Sequence, residues 1–308
     1  MSFRPAPAPT PRTKVMKKLI TILPPPSRHW VGDGFPVRSL FSYHERTAEL
    51  SPFLLFDYAG PHIFAPTDER RGVGEHPHRG FETVTIVYDG EVDHRDSSGG
   101  GGRIRPGDVQ WMSAAGGLVH EEFHSPDFAR TGGRFEMAQL WVNLPERRKL
   151  DPPRYQGIRA AQIPTVELLG QAGTLRVIAG EFAGSHGPAA TATPINVWDI
   201  RLQQGREAEF EVPDGHTALL AALSGAVSLG SGERLDGPQL ALLERAGSRF
   251  TLRAESDATL LFLGGEPLGE PVVGYGPFVM TSQQGIDEAI RDYQAGRMGQ
   301  LGVIAGSE

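Results

Sequence analysis

Short apolar runs bounded by Gly, Pro, Asp or Ser recur from residue 15 to about residue 150. They include KVMKKLITIL, SPFLLFDYAG, FETVTIVYDG and RFEMAQLWVNL. Runs of this length between turn residues are typical of β-strands. In RFEMAQLWV, apolar side chains occupy both faces, which indicates a strand buried on both sides in a sandwich or barrel. This half of the chain is therefore predicted to be all-β.

A second block of similar runs follows the first. It includes TLRVIAGEF, INVWDIRLQQG, TALLAALSGAVSLG and RFTLRAESDATLLFLGG. In both blocks a strand ends in a Gly turn, a short hairpin follows, and a Gly/Pro turn (PGDVQWM, DGPQLALL) opens another apolar strand. The same order of motifs at two places indicates an internal duplication. We therefore predict an all-β fold built from two β-barrels in tandem.

Segments that lack this strand pattern divide the chain. Residues 1–14 are Pro-rich, basic and without periodicity, so we expect a disordered extension. Residues 151–165 are rich in Pro and Arg and are predicted to be a linker. The N-terminal barrel would then span residues 15–150 and the C-terminal barrel residues 166–270. A C-terminal strand and helix would occupy residues 271–308.

The clearest helical pattern lies near the C-terminus. One apolar face at helical spacing is formed by Ile286, Ala289, Ile290 and Tyr293. Asp287 and Glu288 suit the first turn of this helix, and Gly296 suits its end. We predict that the helix packs its apolar face on one barrel and has no catalytic role.

Composition and charge exclude several classes of function. A chain of 308 residues favours two domains, which agrees with the duplicated pattern. The net charge of -7 and the lack of a long Lys/Arg cluster argue against direct nucleic-acid binding, because such binding neutralises phosphates. The absence of cysteine excludes disulfides and thiolate metal ligands. No apolar run reaches membrane-spanning length, and we expect a cytoplasmic monomer without membrane contact.

Two pairs of potential metal ligands flank one hairpin unit of the first block. His76 and His78 are two residues apart, as are His120 and Glu122. Residues two apart on a strand point to the same face, so two strands can present both pairs to one point. Imidazole with carboxylate suits a divalent transition metal such as Fe, Mn, Co, Ni, Cu or Zn. We predict a mononuclear metal site inside the N-terminal barrel.

Spacing alone offers more donors than one ion needs. Glu82 has the parity of His78, and His124 has the parity of Glu122. A catalytic ion takes three or four protein ligands and keeps an open position. The alternative is a polar turn whose side chains are only hydrogen-bonded. The second block has only His216 at the corresponding place, so the C-terminal barrel is expected to be metal-free.

Four stretches of the chain carry a resemblance to a known family. HPHRGFETVTIVYDG, IRPGDVQWMSAAGGLVHEE, QLWVNLP and GPFVM closely resemble the pirin family, a branch of the cupin superfamily. The resemblance extends from about residue 52 to residue 294. It implies a bicupin, with two tandem cupin barrels of which the N-terminal one holds a metal, usually described as iron.

The resemblance also implies which donors bind the metal. The family's ligands match His76, His78, His120 and Glu122, so Glu82 is expected to orient a ligand histidine instead. GLVHEEF departs from many relatives by carrying Glu121, which should point away from the ion.

Two functions from different classes are implied by the resemblance. The first is that of a quercetin 2,3-dioxygenase, which opens a flavonol ring with O₂, with Glu122 as general base. Phe81, Trp111 and Met112 would be candidates for the apolar wall, although each could equally be a plain core residue. The second is that of a non-enzymatic, metal- or redox-dependent regulatory protein, a transcription cofactor or a modulator of a metabolic enzyme. Its acidic surface would then dock a protein partner. A cupin isomerase or an inactive cupin is a third alternative, but no basic cluster for a sugar phosphate accompanies the ligands.

Overall fold

The computed structural model describes residues 15–302, and the predicted extension at 1–14 lies outside them. The strands of the first half are β1 (Leu19–Leu23), β2 (His29–Val31), β3 (Phe35–Phe41), β4 (Phe53–Phe64), β5 (Gly72–His78), β6 (Phe81–Asp89), β7 (Val92–Asp96), β8 (Gly101–Ile104), β9 (Val109–Ser113), β10 (Leu118–His124), β11 (Gly133–Asn143) and β12 (Arg154–Ile158). Those of the second half are β13 (Thr165–Glu167), β14 (Gly173–Ala179), β15 (Glu181–Phe182), β16 (Ser185–His186), β17 (Ile195–Leu202), β18 (Glu207–Glu211), β19 (Thr217–Ser224), β20 (Ala226–Leu229), β21 (Arg234–Asp236), β22 (Gln239–Leu243), β23 (Arg249–Ala254), β24 (Ala258–Gly265), β25 (Val273–Tyr275) and β26 (Phe278–Met280). The helices are α1 (Thr47–Leu50), α2 (Pro126–Thr131) and α3 (Gln283–Gln294), and single 3-10 turns lie at Glu146–Arg148, Ala160–Gln162 and Leu169–Gln171.

Two antiparallel sheets form the N-terminal barrel. The larger has the strand order β12-β9-β6-β11-β4-β3-β2, and the smaller has the order β5-β10-β7-β8. Apolar side chains from both sheets meet between them, among them Phe64 and Phe135 from the larger sheet and Val92 from the smaller. Because alternate residues of each strand face this space, the barrel has a packed interior from which side chains of β5 and β10 can converge.

The C-terminal barrel repeats this arrangement. Its larger sheet has the order β1-β22-β19-β24-β17-β14-β13, and its smaller sheet has the order β18-β23-β20-β21. Trp198 and Phe262 of the larger sheet stack with Phe250 and Phe210 of the smaller sheet in one buried aromatic row. The predicted all-β fold with two tandem barrels and a C-terminal helix is confirmed.

The two larger sheets pack against each other through a shared apolar core. Val84 and Ile86 of β6 lie in one buried cluster with Leu219 of β19 and with Leu261 and Leu263 of β24. All five side chains are fully buried. Strand β6 therefore has one face in the barrel interior and the other in the interface between the two halves.

Strand pairing crosses the predicted domain boundaries. β1 was expected in the N-terminal barrel, but it pairs with β22 of the C-terminal barrel, with Leu19 opposite Leu243. β12 falls in the predicted linker, but it pairs with β9 and extends the larger N-terminal sheet. The C-terminal segment returns to the N-terminal half, where Ile286 and Ala289 of α3 pack in one cluster with Val119 of β10.

Helix α3 begins earlier than predicted. Its N-cap is Ser282, whose side chain accepts a hydrogen bond from the Gly285 backbone N–H at 3.1 Å. Asp287 and Glu288 therefore lie beyond the first turn, contrary to the prediction, because the serine cap fixes the start. Gly296 follows the last turn with φ at 70°, as expected for a helix end. Over residues 15–302, none of the helices has the length and apolar character that crossing a bilayer requires.

Candidate metal centre

Neighbouring strands β5 and β10 bring three of the predicted ligands together. His120 is paired with His76 across the two strands, and His78 is opposite Leu118. One ring nitrogen from each of the three histidines lies within 4.8 Å of the others. The ring of His120 is 4.2 Å from that of His76 and 4.8 Å from that of His78, measured between centroids. These three side chains therefore share one face, as their spacing along the chain predicts.

Glu122, the fourth predicted ligand, lies in a second group of donors, which shares His120 with the first. One carboxylate oxygen of Glu122 and one ring nitrogen each of His94 and His120 lie within 4.8 Å of one another. His120 is the member common to both groups, and Glu122 is paired with His94 across β10 and β7. Both donor groups lie inside the N-terminal barrel, as far as residues 15–302 are concerned.

The protonation of the buried rings suits a divalent cation. His78 and His120 are 4% and 0% exposed, and burial together with neighbouring imidazoles holds the pKa of both well below the ordinary histidine value. A neutral imidazole is the form that binds metal. The buried Nε2 of His120 has no hydrogen-bond partner among the described residues. Such an orphaned acceptor is costly unless something binds it, so this donor set fits a transition-metal ion.

His94 belongs to the site, although the sequence pattern did not identify it. Its Nδ1 lies 3.3 Å from Nδ1 of His120, and its Nε2 lies 3.3 Å from Oδ2 of Asp96. Burial would raise the pKa of Asp96, but hydrogen bonds from His94 and Ser98 outweigh it and hold that pKa at about 2. Alternation in VDHRD indicates that His94 faces the same side as Val92 and Asp96. That pattern identifies a site residue only when β7 is known to pair with β10, the strand that carries His120 and Glu122.

Glu82 does not orient a ligand histidine, which corrects the prediction. Its carboxylate accepts a hydrogen bond from Trp111 Nε1 at 3.1 Å, and burial raises its pKa to about 7. The strand is interrupted between His78 and Phe81 by Gly80, which has φ at 90°. This turn shifts the alternation, so Glu82 falls on the side of β6 that faces the other barrel.

His124 is also outside the donor groups, although its parity matches that of Glu122. Its Nε2 donates to the carbonyl oxygen of Gly34 at 2.9 Å. Its ring lies among the buried rings of Phe35, Phe64, Phe128 and Phe135. Burial lowers its pKa to about 4, so the side chain is a neutral member of the aromatic core.

Of the three predicted wall residues, Phe81 lies beside the donors. Its ring is 5.1 Å from that of His78 and stacks on Trp141 at 4.2 Å. Trp141, which was not proposed as a wall residue, is itself 5.2 Å from His78. Trp111 belongs instead to the core between the two larger sheets, and Met112 packs in a separate small cluster.

Glu121 points away from the donors, as expected from strand alternation. Its carboxylate accepts hydrogen bonds from Arg95 at 2.6 Å and from Arg70 at 3.0 Å. The extra acidic residue is thus neutralised on the outer side of β10, and it supplies no donor to the centre.

Known proteins resemble the chain over most of its length. The family model "Pirin" matches residues 34–142, and the model "Pirin C-terminal cupin domain" matches residues 197–299. A Pseudomonas aeruginosa protein named "Putative quercetin 2,3-dioxygenase" is 56% identical over 92% of this chain and 98% of its own length. The pirin of Rattus norvegicus is 35% identical over 81% of this chain and 83% of its own length.

A solved structure shows the same architecture. The crystal structure of a quercetin 2,3-dioxygenase from Acinetobacter baumannii superposes with a TM-score of 0.91 at 54% sequence identity. The match covers 94% of this chain and 100% of that one. With both family models matched and relatives of this similarity, the chain belongs to the pirin family and is a bicupin.

Proposed function

We propose that the protein is a metal-dependent dioxygenase that opens flavonols such as quercetin with O₂. In this proposal His76, His78, His120 and Glu122 hold one divalent transition metal, with iron as the favoured ion. The observation that carries the proposal is the convergence of three imidazole donors, among which His120 presents a buried Nε2 that has no hydrogen-bond partner in the described part of the chain. It is supported by the close similarity to proteins named as quercetin 2,3-dioxygenases.

A bound divalent metal would supply Lewis acidity that lowers the pKa of a coordinated hydroxyl group. The chain itself would then supply the base, because the Glu122 carboxylate can accept the proton of the flavonol 3-hydroxyl. Thr85 Oγ1 lies 3.4 Å from Oε1 of Glu122 and 2.8 Å from Oε1 of Gln139, so this hydroxyl lies beside the carboxylate. Phe81 and Trp141 would pack against the aromatic rings of the substrate and keep water away.

Oxygen uptake by metal-loaded protein with quercetin tests this proposal. We expect turnover in the wild type and a loss of about 100-fold or more for Glu122→Gln, since a positioned base contributes about 10²–10⁴-fold. Glu121→Gln is the matched control, because its carboxylate is bound to arginines on the outer side of the strand. Full metal occupancy without oxygen uptake would remove the dioxygenase from consideration.

The second candidate is a metal-dependent regulatory binding protein. It is favoured by the similarity to rat pirin and by the net charge of -7, which suits a protein partner better than DNA. The test is to recover partners with metal-loaded wild type and with the His76→Ala/His78→Ala double variant. A stoichiometric partner that is lost in the double variant supports this function, and an unchanged set of partners rejects it.

A further inference from the structure

Asp96, His94 and His120 form one buried row of hydrogen-bonding groups that ends at the metal centre. Their exposed fractions are 6%, 3% and 0%. Oδ2 of Asp96 faces Nε2 of His94, and Nδ1 of His94 faces Nδ1 of His120, each at 3.3 Å. The far end of the row is Nε2 of His120, which has no hydrogen-bond partner within residues 15–302.

The direction of each hydrogen bond in this row follows from Asp96. Its Oδ1 already receives three donors: Ser98 N at 2.8 Å, Ser98 Oγ at 2.6 Å and Gly100 N at 2.9 Å. A carboxylate surrounded in this way can only accept, so the proton between Asp96 and His94 belongs to Nε2 of His94.

His94 in turn sets the direction of the bond to His120. With the proton on Nε2 donated to Asp96, Nδ1 of His94 faces His120 as the acceptor, so Nδ1 of His120 is the donor. The lone pair of His120 is then left on Nε2, the atom that lacks a partner among the described residues. The stack of Tyr155 on His94, with ring centroids 5.3 Å apart and planes at 17°, keeps the His94 ring in this plane.

We propose that His94 and Asp96 are positioning residues that fix His120 in the Nδ1–H tautomer and so direct its Nε2 lone pair at the metal. His94 is therefore not itself a ligand, although it lies beside Glu122. This inference rests on the metal site of the proposed function but not on the reaction performed there. Hydrogen bonds from the second nitrogen of a metal-binding histidine are a common means of setting its orientation and tautomer.

A direct test measures the tautomer in the metal-free wild type. Long-range ¹⁵N–¹H correlation spectra of the full chain with ¹⁵N-labelled histidine distinguish Nδ1–H from Nε2–H rings. The His120 signals are assigned by their loss in His120→Asn. We expect His120 to carry its proton on Nδ1 and His94 to carry its proton on Nε2. A His120 ring protonated on Nε2 would overturn the proposal.

A second test uses substitutions whose order of severity separates tautomer control from packing. In Asp96→Asn, the side-chain amide can donate to Nε2 of His94. This reverses the direction of both hydrogen bonds, from residue 96 to His94 and from His94 to His120, and moves the His120 proton to Nε2. His94→Ala only removes the acceptor for Nδ1 of His120, so the His120 ring can adopt either tautomer. We expect Asp96→Asn to weaken Co²⁺ affinity by about 100-fold and His94→Ala by about 10-fold, the usual range for such partners.

Adding His94→Ala to Asp96→Asn should restore Co²⁺ affinity to that of His94→Ala alone. Asp93→Asn is the control on the same strand, because Asp93 is bound to Arg103 on the outer face. Affinity is measured by chelator competition, and thermal unfolding of each metal-free variant reports folding. If His94→Ala binds Co²⁺ more weakly than Asp96→Asn, His94 is a ligand or a packing residue and the proposal is wrong. Absence of oxygen uptake with quercetin would reject the dioxygenase but leave these results unaffected.

Discussion

At the residue scale, Gly80 decides which side chains of the β5–β6 connection face the metal centre. Its φ of 90° lies in the left-handed region, and a Cβ at this position would come within 1.9 Å of the Val279 carbonyl oxygen. The turn separates the face of His78 from that of Glu82, which enters the interface between the barrels. Parity along HPHRGFE therefore predicted His76 and His78 but failed for Glu82, because it assumes an uninterrupted strand.

The buried carboxyl of Glu82 makes stability depend on pH. Its pKa is about 7 in the folded protein, against an ordinary value of 4.5. The folded state holds this proton more tightly than the unfolded state. The contribution of protonated Glu82 to the free energy of unfolding is therefore fully present below pH 4.5 and is lost as the pH rises through about 7. We expect Glu82→Gln to match the wild type near pH ~4 and to be more stable by about 1–3 kcal/mol near pH ~8.

Urea unfolding of both proteins across this pH range measures that difference. Glu167→Gln, at an exposed position, is the control and should show no pH-dependent gain. A Glu82→Gln variant that is destabilised equally at both ends of the range would show that the carboxylate stays charged in the folded state.

At the element scale, the β25–β26 hairpin closes the N-terminal barrel beside the donors. The buried ammonium of Lys149 donates to the carbonyl oxygens of Gly80 at 2.7 Å and Val279 at 3.0 Å, and to Asn143 Oδ1 at 2.6 Å. His78 Nδ1 lies 3.4 Å from the carbonyl oxygen of Pro277 in the same hairpin. One lysine thus ties the turn at Gly80, which follows a candidate ligand, to Val279, a residue 199 positions further along the chain.

Lys149→Met should therefore loosen this hairpin. Three buried acceptors would lose their donor, and each unsatisfied buried group costs about 1–3 kcal/mol, so we expect a total loss of at least about 3 kcal/mol. Arg147→Met, at an exposed position two residues earlier, is the control. Hydrogen exchange of the backbone amides of β25 and β26 measures the effect, and unchanged protection in Lys149→Met would contradict it.

The strands could be predicted from the sequence, whereas their long-range pairing could not. Alternation and turn residues located FETVTIVYD and RFEMAQLWVN as strands, because these signals are local. The pairing of β1 with β22 joins residues more than 200 positions apart, and no local pattern encodes it. His94 was missed for the same reason, since only the register of β7 against β10 brings it next to His120.

At the scale of the whole molecule, the two barrels share one core. Leu261 is fully buried in the cluster that joins the two larger sheets, and β1 links the start of the chain to the C-terminal barrel. Trp111 lies in this shared core and Trp198 in the core of the C-terminal barrel, so each half carries a buried fluorophore. We infer that the halves unfold together.

Leu261→Ala should destabilise both barrels by about 2–5 kcal/mol, the usual cost of a cavity left by a buried leucine. The fluorescence changes of single-tryptophan variants that retain Trp111 or Trp198 should coincide along a urea titration. The exposed Leu150→Ala is the control. Separate midpoints for the two tryptophans would show that the barrels are independent.

The most direct measurement determines metal content and quercetin-dependent oxygen uptake on one preparation, for the wild type and for His76→Ala/His78→Ala. We predict one transition-metal ion per wild-type chain with oxygen uptake proportional to occupancy, and loss of both in the double variant. Oxygen uptake that persists in the double variant, or wild-type protein that is fully loaded with metal and consumes no oxygen, would contradict this prediction.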